Sequence, residues 1–254
     1  MTFFARLLVF PLLWFSLTGQ ATPILVPDVS QRQINILSGF TGEELLLFGA
    51  ISYPGGTIPD DEIDIAVVLK GPSNAVTLRE KRKIAGIWIN AASTEFRSVP
   101  SFYAVAASRP ISEIVDEKTA AIYELGLDHL HLSPASSISS AELQPFETGL
   151  VDLNERNGMY SQSDNVVEIS DSILYRARIS IPASVPVGKY TAETFLIQKG
   201  RVVAAATRDI VIAKSGFERL VATMAEFQSF LYGILAVLIS VIFGWSAGYL
   251  FRKM

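Results

Sequence analysis

The sequence has no cysteine and only two histidines among its 254 residues. A chain without cysteine forms no disulfide bond and builds no zinc or iron site on thiolate ligands. Two histidines that lie close together cannot fill several catalytic roles. The part of the chain between its two apolar ends must therefore be stabilised by its core, which about 190 residues can supply.

Motifs for nucleophilic catalysis are also missing. No serine lies in a Gly-x-Ser-x-Gly context, which the nucleophile elbow of hydrolases requires. The acidic residues Asp60, Asp61, Glu62 and Asp64 lack the glycine and the distal glutamate of an EF-hand loop, so a solvated turn is the better interpretation. We predict that the protein is not an enzyme and that it uses no cofactor.

The amino terminus, residues 1–21, reads MTFFARLLVFPLLWFSLTGQA. It combines the basic residue Arg6 with an apolar run and with small residues at Gly19 and Ala21, which is typical of a secretory signal peptide. The run contains Pro11 and is too short to span a bilayer comfortably. We expect cleavage after Ala21 and export of the rest of the chain; an uncleaved anchor is the alternative.

A second apolar run, residues 230–251, contains no charged residue. At ~1.5 Å rise per residue, a helix of this length covers a hydrocarbon core of ~30 Å. The tail 252–254 follows with Arg252 and Lys253, which the positive-inside rule places in the cytoplasm. The sequence therefore predicts a single-pass protein of the inner membrane, with its main domain in the periplasm and its C-terminus in the cytoplasm.

The exported part is acidic. Without Arg6, Arg252 and Lys253, 18 of the 21 basic residues remain against 25 acidic ones, which gives a formal charge of −7. This balance disfavours a nucleic-acid partner, because phosphate contacts need lysine and arginine.

Short β-rich runs with turn signals between them recur within residues 22–214. They cover residues 44–53, 62–71, 83–90, 99–108, 172–181, 189–198 and 201–213. Regular spacing of this kind favours a β-sandwich, and the entry IPASVPVGKY is common in immunoglobulin-like folds, where a tyrosine such as Tyr190 braces a corner between the sheets. We predict a mainly β fold, an immunoglobulin-like β-sandwich, for this domain.

Residues 111–158 depart from the strand pattern. Apolar residues recur at helical spacing, as at Leu143, Phe146, Leu150 and Leu153. We predict a helical insertion over about 111–158, whose first helix begins at Ser112 and ends at Gly126 and whose second helix ends at Gly158.

The stretch GIWINAASTEFRSVPSFYAVA, residues 86–106, is rich in aromatic residues. One interpretation is a central strand with Trp88 in the core. The other is an interaction surface at Trp88, Asn90, Phe102 and Tyr103, because Pro100 cannot donate to a ladder and places its strand at an edge or a bulge.

Two polar stretches remain. In Asp128-His129-Leu130-His131, an extended backbone would put His129 and His131 on one face as a metal-binding pair; a polar loop is the simpler interpretation, and we predict no metal. The basic run Arg79-Glu80-Lys81-Arg82-Lys83 fits a surface for anionic headgroups or a small anion, and it fits the charged end of a hairpin equally well.

The predicted membrane helix has small residues along one stripe. They are Gly233, Ala236, Ser240, Gly244 and Gly248. Small residues let a second membrane helix approach closely, so the stripe predicts helix packing against a partner or in a homo-oligomer, although glycine is frequent in membrane helices generally. Upstream, Ser215 and Glu218 have the form of a capping box, which predicts a stalk over 215–229 and one continuous helix from about Gly216 to Phe251.

The sequence resembles an uncharacterised family of alphaproteobacterial transmembrane proteins. The resemblance lies in Gly86-Ile87-Trp88, Asn90, the run Val99–Ala104 and Arg109-Pro110, and it extends to IPASVPVGKYTAETFLI and the terminal helix. It covers nearly the whole mature chain. Because genes of such proteins tend to lie beside permeases similar to sulfite exporters, the resemblance implies an integral membrane protein as partner.

Together these observations favour a non-catalytic accessory or interaction protein, anchored in the inner membrane and partnering a multi-span membrane protein. The alternative is a tethered periplasmic protein that binds a ligand or a metal. The two differ in what loss of the membrane helix removes: the partner in the first case, only the tether in the second.

Overall fold

Two β-sheets pack face to face to form the centre of the molecule. The computed structural model describes residues 22–37, 39–56, 58, 61–135, 139–214, 216, 221 and 224–252. The predicted signal peptide and the predicted capping residues Ser215 and Glu218 lie outside these ranges. Of the residues that the structure describes, strands hold 48% and helices 27%, so the mainly β class is confirmed.

The strands have the following bounds: β1 (Ile24–Val29), β2 (Gln33–Ile36), β3 (Gly42–Ser52), β4 (Ile63–Lys70), β5 (Ser73–Ile84), β6 (Ile87–Pro100), β7 (Tyr103–Ala107), β8 (Ser133–Pro134), β9 (Tyr160–Ser163), β10 (Val167–Ser170), β11 (Leu174–Pro182), β12 (Gly188–Gln198) and β13 (Arg201–Lys214). The helices are α1 (Ile111–Ile114), α2 (Glu117–Tyr123), α3 (Ser140–Arg156) and α4 (Ser229–Phe251), with a 3-10 turn at Leu127–His129.

The first sheet has the strand order β1-β3-β11-β10 and is antiparallel throughout. The second has the order β2-β13-β12-β4-β7-β9, with parallel pairing only at its two edges, β2 to β13 and β7 to β9. A third, smaller sheet joins β5, β6 and β8. The predicted run 83–90 is thus not one strand, because a turn at Ala85 and Gly86 divides it between β5 and β6.

The main core lies between the first and second sheets. In β11, alternate residues point inward and are buried, from Tyr175 to Ile181, which is the period-2 pattern of a half-buried strand. In β4 every residue from Ile63 to Leu69 is buried, because the second sheet is covered on both faces. Ile65 and Val67 face the first sheet, and Ala66 and Val68 belong to a second core.

The second core lies between the other face of the second sheet and the helices. Helices α1, α2 and α3 all fall within the predicted insertion and supply Ile111, Ile114, Ala120 and Leu150 to this core. The predicted first helix is divided, because Asp116 has an extended backbone and caps α2 by accepting from Thr119 N at 2.9 Å.

A tyrosine closes the sandwich at the corner before β12, as predicted. The Tyr190 ring is fully buried, and its hydroxyl donates to the carbonyl of Pro186 at 2.7 Å. This bond fixes the chain between β11 and β12.

Helix α4 agrees within one residue with the predicted membrane segment 230–251. Residues 224–227 are also helical, and at Gln228, which is not, the backbone hydrogen bonds from Gln228 N to Met224 O at 3.0 Å and from Tyr232 N to Gln228 O at 2.9 Å continue the helical pattern. Most of the predicted stalk lies outside the described residues, so one continuous helix from about Gly216 stays a prediction. The segment Ser229–Tyr249 has a mean hydropathy of 2.1 and is long and apolar enough to cross a membrane.

Candidate functional site

Strands β5 and β6 form a long hairpin, called the arm from here on. Its register runs from Ser73 paired with Pro100 to Ile84 paired with Ile87. The closing residues Ala85 and Gly86 have φ of +49° and +87°, the backbone of a two-residue hairpin turn in which glycine is favoured.

The arm is packed at its root and projects at its end. Phe96 and Val99 are buried in the second core, whereas every residue from 81 to 91 is exposed. Residues 81–91 are called the arm tip. From Leu78 to the turn the arm continues for six residues, ~20 Å of strand.

The arm tip is apolar on both faces. Ile84 lies opposite Ile87 on one face, with Ile89 beside them, and Trp88 lies opposite Lys83 on the other face. Trp88 is 65% exposed and Ile87 is 68% exposed. The interpretation of Trp88 as a core residue is therefore wrong, because its strand leaves the sandwich before reaching this position. The alternative, that Trp88 and Asn90 are available for interaction, agrees with their exposure.

Phe102 and Tyr103 are not on the surface. The prediction that these two residues belong to an interaction surface is therefore wrong. Their exposures are 1% and 0%. The strand β7 is interior, since Tyr103 pairs with Lys70 on one side and Tyr160 on the other. The Tyr103 hydroxyl donates to the carbonyl of Glu124, and burial raises the pKa of this phenol. The Phe102 ring packs against Tyr190 with centroids 6.0 Å apart.

The root of the arm lies at the end of the second sheet from which the chain continues to α4. Gly71 N donates to Phe102 O at 2.8 Å, and Ser101 N donates to Pro72 O at 2.9 Å, which closes the root. Pro72 contacts Gly188, and Gly188 pairs with Ile212 near the end of β13. The arm and the route to the membrane helix thus leave the sandwich at the same end.

The arm carries a concentration of positive charge. The run Arg79–Lys83 holds four basic residues and one acidic residue, Glu80, which accepts from Arg82 at 2.7 and 2.9 Å. That hydrogen bond lowers the pKa of Glu80. Within the described ranges, Arg79, Lys81 and Lys83 have no ion pair. Residues 22–251 hold 18 basic and 25 acidic residues in all. Outside this run they hold 14 basic and 24 acidic residues, which gives the rest of the segment a charge of −10.

A charge cluster that sequence reasoning missed lies behind the second sheet. Lys70 Nζ is 2.7 Å from Glu124 and 3.2 Å from Glu193. Burial disfavours both charged forms, yet their mutual attraction raises the pKa of Lys70 and lowers that of Glu124. Lys70, Glu124 and Glu193 come from separate elements that are far apart in the sequence, so no local sequence pattern predicts this cluster.

The two histidines are not on one extended strand. His129 ends the 3-10 turn, and His131 is 65% exposed with its Nδ1 3.2 Å from Glu124 Oε1. The part of the chain that the structure describes contains no group of three or more histidine, aspartate or glutamate side chains able to hold a metal. That the protein binds no metal stays a prediction.

Helix α4 presents its small residues on one face. The stripe contains Gly233, Ala236, Ser240, Gly244 and Gly248. Ser240 donates its hydroxyl to the Ala236 carbonyl at 2.8 Å, so the stripe satisfies its polar group internally. Trp245 and Tyr249 stack on the opposite face, with centroids 6.1 Å apart.

A groove of about 440 Å³ runs between the arm and α3. Its apolar lining includes Leu78, Phe146 and Leu153, and its charged lining includes Arg79 and Asp152.

No curated protein and no solved structure matches the chain. A family model described as "Putative transmembrane protein (Alph_Pro_TM)" matches residues 24–253, which covers the arm, the sandwich and α4. This match confirms the family resemblance. The chain belongs to that transmembrane protein family.

Proposed function

We propose that the protein is a non-catalytic, single-pass accessory protein of the inner membrane whose helix α4 packs against a multi-span membrane protein. The observation that carries the proposal is the stripe of small residues that includes Gly233, Gly244 and Gly248 on one face of α4. Lipid tails are as apolar as leucine, so a helix that serves only as an anchor gains nothing from small residues. A helix that packs against another helix gains from them, because they let the two backbones approach closely.

The charges that follow α4 support the proposed orientation. Arg252 follows the helix directly, and Lys253 comes next in the sequence. Basic residues of this kind are retained in the cytoplasm, which supports a periplasmic location for the sandwich and the arm. A permease similar to sulfite exporters is the partner that the family resemblance suggests.

The sandwich is proposed to be immunoglobulin-like. The orders β1-β3-β11-β10 and β13-β12-β4 correspond to the A-B-E-D and G-F-C orders of that fold, and β2 and β7 extend the second sheet on either side. The bond from Tyr190 to Pro186 O supports the same assignment, because a tyrosine near the start of strand F makes this bond in such domains.

The groove between the arm and α3 favours the alternative of a tethered ligand-binding protein. Its volume of about 440 Å³ lies in the range of small-molecule sites. Replacing Phe146 with alanine would abolish ligand binding in that case and would leave capture of a membrane partner unchanged.

The test is co-purification from native membranes with chemical crosslinking and mass spectrometry. The variant Gly244→Ile with Gly248→Ile keeps α4 apolar and blocks close approach, so we expect it to lose the partner that the wild type captures. The matched control, Leu238→Ile with Ile242→Leu, changes the opposite face and should retain the partner. Equal capture by both variants would contradict the proposal, and capture of a second copy lost in the same way would favour a homo-oligomer.

A further inference from the structure

We propose that the arm tip is a second membrane contact, which inserts Trp88 and its neighbouring isoleucines among the headgroups of anionic phospholipids. This inference rests on one element of the proposed function, the anchoring of the chain by α4. It is independent of any partner of α4.

The first support is the distribution of apolar side chains on the arm tip. Ile84, Ile87 and Ile89 occupy one face of the two-stranded ribbon, and Trp88 occupies the other. A rigid protein surface would cover only one of these faces. A fluid interface surrounds both, and tryptophan suits the headgroup level because its ring is apolar and its N–H can donate.

The second support is charge complementarity. The run Arg79–Lys83 carries a net +3, whereas the rest of the exported part carries −10. Lys83 lies directly opposite Trp88, and Arg82 directly opposite Ile89, so the cations flank the apolar side chains. Basic and apolar residues in this arrangement bind anionic bilayer surfaces, the cations to phosphate and the apolar groups below it.

The third support is position. The root of the arm, at Pro72 and Gly188, lies at the end of the sheet where β13 finishes. Residues 215–228 separate Lys214 from Ser229, which limits the distance between these two residues to about 50 Å. The arm extends ~20 Å beyond Leu78, and a linker that allows any separation up to about 50 Å permits the arm tip to meet the bilayer.

The contact must be shallow. The tip is a two-stranded ribbon whose outer backbone groups are unpaired, and such groups require water or headgroups as partners. The proposal therefore places Trp88 at the level of the headgroups and not in the hydrocarbon.

The test uses the full chain in lipid vesicles. Tryptophan occurs only at Trp14, Trp88 and Trp245, so the variant Trp14→Phe with Trp245→Phe leaves Trp88 as the sole reporter. In vesicles containing phosphatidylglycerol we expect the fluorescence emission of Trp88 to shift to the blue. Brominated lipid should quench this emission, and acrylamide dissolved in the water should no longer quench it. In vesicles of phosphatidylcholine alone, or at ~1 M salt, the shift should be lost because the charges are screened.

Adding Lys81→Gln, Arg82→Gln and Lys83→Gln to the reporter should reduce the equilibrium constant for insertion of the tip about a hundredfold, since each cation contributes about fivefold. The matched control replaces Arg176, Arg178 and Lys189, which are equally exposed, with glutamine and should leave Trp88 inserted.

Resistance of the chain to carbonate extraction separates the two proposals. If the chain stays in the vesicles while acrylamide still quenches Trp88, the tip contact alone is overturned. The tip contact is also overturned if Trp88 becomes protected only after a membrane protein or a second copy is added. A chain released by carbonate would overturn the anchor and the inference with it.

Discussion

Pro72, at the root of the arm, lies against Gly188, at the start of β12. A Cβ on Gly188 would stand 2.8 Å from Pro72 Cγ, and the φ of +153° at Gly188 also disfavours a side chain. Since Gly188 pairs with Ile212, this contact fixes the arm to the last strand before the membrane helix.

Replacing Gly188 with alanine should therefore lower the free energy of unfolding by about 1–3 kcal/mol, because the proline ring or the strand must move. Urea unfolding of the full chain in detergent, followed by circular dichroism, measures the change. Gly149→Ala is the control: Gly149 is helical with open space around it, so alanine should be neutral or stabilise by up to about 1 kcal/mol. A Gly188→Ala variant as stable as the wild type would contradict the close contact.

Removing the hydroxyl of Tyr190 should cost about 0.5–1.5 kcal/mol of unfolding free energy, because Tyr190→Phe loses the hydrogen bond to the half-buried Pro186. Thermal melting of the two proteins compares them. The control is Tyr123→Phe, which keeps the edge contact of that ring with Phe195 at 5.4 Å and should change stability less. Equal losses in both variants would argue against the corner bond.

The Lys70–Glu124 pair predicts a loss of stability in acid. The pKa of Glu124 is lowered in the folded state by Lys70, so its contribution is present above the ordinary glutamate pKa of ~4.3 and is lost as the pH falls through the folded value. Glu124→Gln should cost about 1 kcal/mol at pH 7 and progressively less below about pH 4. Unfolding curves from pH 3 to 7 measure this. The control is Glu155→Gln, on the exposed side of α3. Parallel pH profiles for the two variants would contradict the assignment to the Lys70–Glu124 pair.

The topology predicts where a reporter works. An enzyme active only in the periplasm should function when inserted in the exposed turn at Gly55 and Gly56, and should fail when fused after Met254. Activity of the carboxy-terminal fusion with loss at Gly55 would reverse the orientation of the sandwich and of the arm.

The sequence was sufficient for elements whose signal is local. Alternate burial in β11, the apolar length of α4 and the corner at Tyr190 each follow from a few neighbouring residues. The sequence could not decide whether Trp88 is buried or exposed, because a strand with apolar residues on both faces has the same pattern in a core and on a projecting arm. The turn at Gly86 was the available signal for the arm.

Other features depend on contacts distant in sequence. Tyr103 is buried because β9, more than fifty residues later, covers the edge of β7. Phe102 is buried in the main core, where it packs against Tyr190 of β12. The partners of Lys70 come from a helix end and from β12. No window of sequence contains both members of these contacts, so local patterns could not predict them.

Photo-crosslinking from α4 in native membranes tests the central claim most directly. A photoreactive residue at Ala236 or Ser240, on the stripe of small residues, should form an adduct with one integral membrane protein. The same residue at Leu238 or Ile242, on the opposite face, should react with lipid. Lipid adducts from both faces would contradict a packed helix and would leave α4 as an anchor alone.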